Sequence, residues 1–328
     1  MTTNSPIVVP NNAHLRRSRL EWPFGDGEPS YASSLSGRAI VLAFDGSAES
    51  QAAARVADAI AGQLHASVNV VSVIDTTPVP IPFPLDLAIG VAGESAGGAI
   101  HREQERDVRR GISIELGHSI DWPTSIELGV PAHAIARQSS RLKAALVVMG
   151  LRRHGRVDRV VNDETALSVM RKAPGPVLGV AAGATGLPRR ALVAMDFSRA
   201  SVHAAVAAAQ LMGKDGVLTL AYVESMMEYP PGSSEGVIHT LGLDGAFERL
   251  ERGLASKVLR VDHVVLHHTE SGAISHFLLD YAAEVSADLL VAGSARHGRV
   301  DRILLGSVSA ELVRTGHYST LIVPPANE

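Results

Sequence analysis

The chain has 328 residues, room for two ordinary domains, and its apolar share is mostly aliphatic and alanine, with aromatics at 4%. It contains no cysteine, which excludes disulfides, thiol catalysis and thiolate metal sites and suits a cytoplasmic location. A formal charge of -4 gives no global reason to expect nucleic-acid or membrane partners, and no run approaches the ~20 apolar residues of a membrane span.

Residues 1–36 read as a flexible arm. They lack the order of a secretory signal, and the basic cluster Arg16, Arg17 and Arg19 reads as a solvated tail. The apolar run Ala39 to Phe44 then predicts a strand buried on both faces, broken by "DGS". Ser47 is placed to cap an alanine-rich helix, with Glu49 in its first turn, where the helix dipole favours negative charge. From Arg189 the same order returns: a strand ending at Asp196, then a helix entered through Ser198.

The parallel continues along both halves. "ASVNVVSVID" matches "GVLTLAYVES" as second strands, and a Pro- and Gly-rich excursion follows each. "PTSIELG" and "DHVVLHH" are third strands, "AALVVMG" and "ADLLVAG" fourth, "GPVLGV" and "STLIVPP" fifth. Each fourth strand runs into the same heptad, "RHGRVDR", at Arg153 to Arg159 and Arg296 to Arg302, the mark of an internal duplication. Alternating strands and helices indicate parallel sheets with helices on both faces. The expected α/β architecture is two tandem doubly wound five-stranded units, residues 37–182 and 188–326, joined by "AAGATGLPR".

In such sheets ligands bind beyond the carboxyl ends of the strands, near the switch in strand order. Asp45 and Asp196 sit there, either as ligand contacts or as turn-forming Asx residues. In the second half Gly293 ends the fourth strand, and Gly306 and Ser307 open a helix. Free amides, a glycine permitting close approach and the hydroxyls of Ser307 and Ser309 together form a phosphate cradle.

On these residues both halves resemble the universal stress protein family, nearly end to end apart from the arm. The family's ATP-binding members carry an Asp after the first strand, an apolar adenine contact on the second, and Gly, two residues, Gly, nine residues, then Gly-Ser or Gly-Thr. The resemblance implies a stress-response protein with an ATP site in the second half, at Asp196, Val223, Gly293, Gly306, Ser307 and Ser309. It also implies that the halves pair as a pseudo-dimer, with homo-oligomers left open.

The pattern departs at Arg296, which stands where those members have their second glycine; Gly298, two residues on, is the candidate flexible joint, and the guanidinium a candidate phosphate contact. The first half departs further. Asp163, Glu164 and Thr165 stand where the second has Gly306, Ser307 and Val308, and acidic side chains repel a phosphate, so no ATP is expected there. ATP hydrolysis stays open and no catalytic residue is assigned. The alternative is an interaction scaffold that binds no nucleotide.

Other signals are weaker. "GESAGG" matches G-x-S-x-G, making Ser95 a minor candidate esterase nucleophile, but no oxyanion motif precedes it. His263 and His267 share a strand face, a minor zinc candidate without a carboxylate at convincing spacing. Arg296, Arg299 and Arg302 would line one side of a helical turn, either as a phosphate-facing strip or as a solvated, ion-paired face.

Overall fold

Runs rich in Val, Leu and Ile that bury both faces of a strand set the architecture seen in the computed structural model, which describes residues 22–24, 35–75, 93–151, 162–225, 233–268, 273–296 and 303–325. The first half runs β1 (Ala39–Ala43), α1 (Ala48–Leu64), β2 (Ser67–Asp75), α2 (Gly93–Leu116), β3 (Thr124–Gly129), α3 (Pro131–Arg141), β4 (Leu146–Leu151), α4 (Asn162–Lys172) and β5 (Val177–Ala181). The second runs β6 (Arg190–Met195), α5 (Arg199–Met212), β7 (Val217–Ser225), α6 (Ser234–Leu254), β8 (Arg260–His268), α7 (Ile274–Glu284) and β9 (Leu289–Gly293). It closes with the short strands β10 (Ala295–Arg296) and β11 (Ile303–Leu304), then α8 (Ser307–Arg314) and β12 (Ser319–Val323).

The helix starts follow the sequence. The Ser47 hydroxyl accepts the Ser50 amide at 3.2 Å and that of Ser198 accepts the Ser201 amide at the same distance, so α1 and α5 are capped alike.

The strands form one ten-stranded sheet in the order β3-β2-β1-β4-β5-β12-β9-β6-β7-β8. Each half is parallel within itself, with its first strand between its second and fourth, so the order reverses between β1 and β4 and again between β6 and β9. The halves meet through their fifth strands, where β5 and β12 pair antiparallel with Leu178 opposite Leu321. The Ser319 hydroxyl accepts the Ala181 amide across this seam at 3.2 Å. Alternation along the strands feeds two cores, one on each sheet face. Ile40 and Leu42 enter the core with α1, α2, α5 and α6; Val41 and Ala43 enter the one with α3, α4, α7 and α8.

Within the segment expected to be a flexible arm, Trp22 to Phe24 lie against the second half. The Phe24 ring is 5.6 Å from that of His203, and Arg199 Nε donates to the Pro23 carbonyl at 3.2 Å. Among the described residues no helix is long and apolar enough to cross a membrane.

Candidate functional site

The crevice where the strand order reverses is built twice, and a glycine closes its floor in each half. A Cβ on Gly293 would stand 2.5 Å from the Ala200 carbonyl carbon and 2.7 Å from the Ser201 nitrogen; on Gly150 it would stand 2.6 Å from the Glu49 carbonyl carbon. Glycine is therefore required because the first turn of α5 or α1 rests directly on the end of the fourth strand. The first glycine of the motif serves helix-on-strand packing, whatever the ligand.

The aspartates after the first strands hold their own loops. Asp196 accepts the Ser198 amide at 2.9 Å, and Asp45 accepts the Ser47 amide at 3.0 Å, the Asx geometry of a turn. Both are exposed. The residue after each aspartate is left-handed: Gly46 at φ 81° and Phe197 at φ 53°. A phenylalanine resists that conformation. Phe197 is held there by burial, edge-on to Phe247 at 4.9 Å and tilted against Tyr222 at 6.0 Å.

The helix after the fourth strand is where the halves diverge. α8 begins at Gly306 (φ -62°, ψ 163°) with no side-chain cap, and among the described residues no atom lies within 4 Å of the position its Cβ would take. Among the described residues no side chain caps its first turn, whose amides favour an anion. Ser307 is exposed at this start. Ser309 is buried, and its hydroxyl donates to the Gly293 carbonyl at 3.0 Å, so that proton ties α8 to β9 and is not on offer to a phosphate. Val223 is half-buried near the end of β7 and packs, like Val308, on the core face shared with α7 and α8.

Arg296 does not begin a helical turn. It lies on β10, paired antiparallel with Ile303 on β11, because the chain leaves β9 as an extended ribbon. Gly298, Arg299, Arg302 and the first-half heptad fall outside the described residues.

Sequence reasoning missed an open cavity of about 290 Å³ at the corresponding place in the first half. Strand register puts Asp45, Val73 and Gly150 where the second half has Asp196, Val223 and Gly293, and all three line it. Its wall is apolar, with Val71, Ile135 and Met149; its polar rim includes Asp75 and Thr165. Val313, near the end of α8, also reaches it, a contact between halves that local pattern could not reveal.

The weaker candidates resolve separately. Ser95 lies inside α2, as do both glycines of its motif, whereas a nucleophile elbow places serine at a strand-to-helix turn. His263 stacks on Phe247 at 4.3 Å with its Nδ1 2.5 Å from Glu251, and His267 Nδ1 lies 3.2 Å from Glu224, so the two rings pair with different carboxylates. Among the described residues no group of three or more His, Cys, Asp or Glu converges as for a metal ion.

The family model for the universal stress protein family matches residues 37–181 and again 188–324. A universal stress protein of Mycolicibacterium smegmatis is 28% identical over 299 residues, covering 87% of this chain and 97% of that relative. The crystal structure of a universal stress protein from Archaeoglobus fulgidus superposes with a TM-score of 0.61 at 18% identity, covering 88% of this chain and 99% of that one. A protein of unknown function from Pseudomonas aeruginosa PAO1 gives 0.55 at 15% identity, covering 90% and 95%.

Proposed function

The chain belongs to the universal stress protein family through both of its halves, and from that premise we propose that the second half binds an adenine nucleotide, ATP, as part of a stress response. The observation that carries this is the start of α8: uncapped, opened by Gly306, and facing space that no side chain of the described residues fills. The triphosphate lies over the Ser307, Val308 and Ser309 amides, the Ser307 hydroxyl donates to it, Asp196 takes the ribose, and Val223 forms part of the adenine wall. Gly293 shapes the crevice floor from beneath. Arg296, whose backbone lies on the ribbon where the motif has its second glycine, is the candidate cation for the phosphates.

The first half serves as the structural partner, its matching helix opening with Asp163 and Glu164. The two halves act as one pseudo-dimer across the β5–β12 seam. The chain's role is to report nucleotide state, and no residue is assigned to catalysis.

Titration calorimetry tests this with ATP, the unaltered chain and Gly306→Glu. Gly306 has a φ that any residue adopts, and no atom of the described residues lies within 4 Å of its Cβ position, so the variant folds and adds only charge. The expected result is saturable heat for the unaltered chain and at least a tenfold loss in the variant. Absence of heat in both favours the scaffold reading, in which the ribbon residue Arg296 has displaced the glycine and the nucleotide with it.

A further inference from the structure

A cavity of about 450 Å³ lies away from both crevices, where the chain leading into β1, β4 and β5 faces α5 and the end of β12. Its floor is apolar, with Leu35, Pro176, Val206 and Val323 among the lining residues. Two cations, Arg38 and Lys143, line it and no carboxylate of the described residues does. Arg38 Nη2 donates to the Lys143 backbone carbonyl at 3.2 Å, which holds the guanidinium at that residue's backbone. His203 adds a ring from α5, but burial, and then the nearby Arg199, lower its pKa, so it is neutral at pH 7.

The duplication supplies an internal control. Ile40 pairs with Leu146 as Ala191 pairs with Leu289, so Ala145 and Lys143 correspond to Asp288 and Ser286. The matching caps Ser47 and Ser198 put Arg55 of α1 at the place of Val206 on α5. At the related junction Asp288 accepts the Arg189 and Arg190 backbone amides at 2.9 and 3.0 Å, so a carboxylate stands where the first junction has Ala145. Arg55 crosses to the Ala184 carbonyl at 3.0 Å and pairs with Glu115. One junction is thus spanned by a side chain and supplied with its own carboxylate. The other has Ala145 in place of the carboxylate, Val206 in place of the spanning side chain, and Lys143 in place of Ser286.

We propose that this cavity binds a small monocarboxylate with an apolar alkyl body. The ligand carboxylate pairs with the Arg38 guanidinium and the Lys143 ammonium, at a junction that lacks the carboxylate Asp288 places on the Arg189 and Arg190 amides in the related one, and the alkyl chain occupies the volume that Arg55 crosses there. A guanidinium fork matches a carboxylate in its plane. The volume falls in the usual range of small-molecule sites. The site is independent of the nucleotide reading, because none of its lining residues belongs to the α8 crevice.

Decanoate is the probe, titrated by calorimetry into the full chain. The expected result is saturable one-to-one binding that weakens at least tenfold in Arg38→Gln/Lys143→Gln, an exposed pair whose loss leaves folding intact. It also weakens with added salt, while uncharged decanol binds both proteins equally. Val206→Arg, which installs what α1 carries, removes binding; if that variant melts early, the Arg38/Lys143 variant decides alone. No saturable heat with the unaltered chain, equal affinity in the Arg38/Lys143 variant, or displacement of decanoate by ATP would overturn the proposal.

Discussion

Gly293→Ala probes what the first glycine of the motif is for. The added methyl would meet the Ala200 carbonyl carbon, the Ser201 nitrogen and the Ala200 Cβ at 2.5, 2.7 and 2.8 Å, all parts of the first turn of α5. Backbone at those distances has to move, and overpacking of this kind costs ~1–3 kcal/mol. If one half unfolds as its own cooperative unit, that corresponds to a fall in Tm of roughly 3–10 °C, and to about half as much if the whole chain unfolds together. Gly150→Ala meets Glu49 and Ser50 in the same way, so the two variants should lose similar stability. The assay is thermal and urea unfolding without nucleotide, with Gly306→Ser as control; that residue starts a helix in open space, and serine there should add a few tenths of a kcal/mol. If Gly293→Ala melts like the unaltered chain, the packing account is wrong and the glycine belongs to the ligand.

Other outcomes follow from the same geometry. Ser309→Ala should lower stability by about 1 kcal/mol, through the lost bond to the Gly293 carbonyl, and leave ATP affinity within about threefold; Ser307→Ala should do the reverse, as paired melting and calorimetry will show. Phe197→Gly relieves a left-handed backbone worth about 1–2 kcal/mol but opens the aromatic cluster, where loss of a phenylalanine costs ~3–5 kcal/mol, so urea unfolding should show net destabilisation. A neutral or stabilised variant would mean that strain outweighs packing there. His203 has a folded pKa below the ordinary 6.5. As pH falls through that value the unfolded chain takes up a proton that the folded chain refuses, so stability drops on the acid side of 6.5. Urea midpoints at about pH 7.5 and about pH 5.5 should differ less in His203→Gln than in the unaltered chain.

The strand-helix alternation, the duplication and the two serine caps were legible because each is written in adjacent residues. Ser47 and Ser198 are separated from the amides they cap by a single turn, a distance that sequence spacing reports directly. The seam was not legible in its register, because nothing local in "VLGVA" or "STLIV" states that Leu178 should face Leu321. The site was half legible. Gly306 and Ser307 could be read as an uncapped helix start, but the cavity beside Asp45 depends on how Ile135, Met149 and Val313 pack from three separate elements. The roles of Gly293 and Ser309 shifted for the same reason, since each is set by a partner far away in the chain. Arg296 was read on a helical period, and the ribbon pairing of Ala295 with Leu304 overrode it.

The antiparallel seam has an evolutionary corollary. Two identical subunits joined edge to edge inherit every substitution twice, so a mutation that ruins one ligand site ruins its twin. Once both halves lie on one polypeptide, with β5 and β12 keeping the joint, each half mutates alone. One copy is then free to carry Asp163 where the other has Gly306, or Val206 where the other has Arg55, with both alternatives present in one molecule. Fusion turns a symmetric assembly into a pair of separately heritable sites.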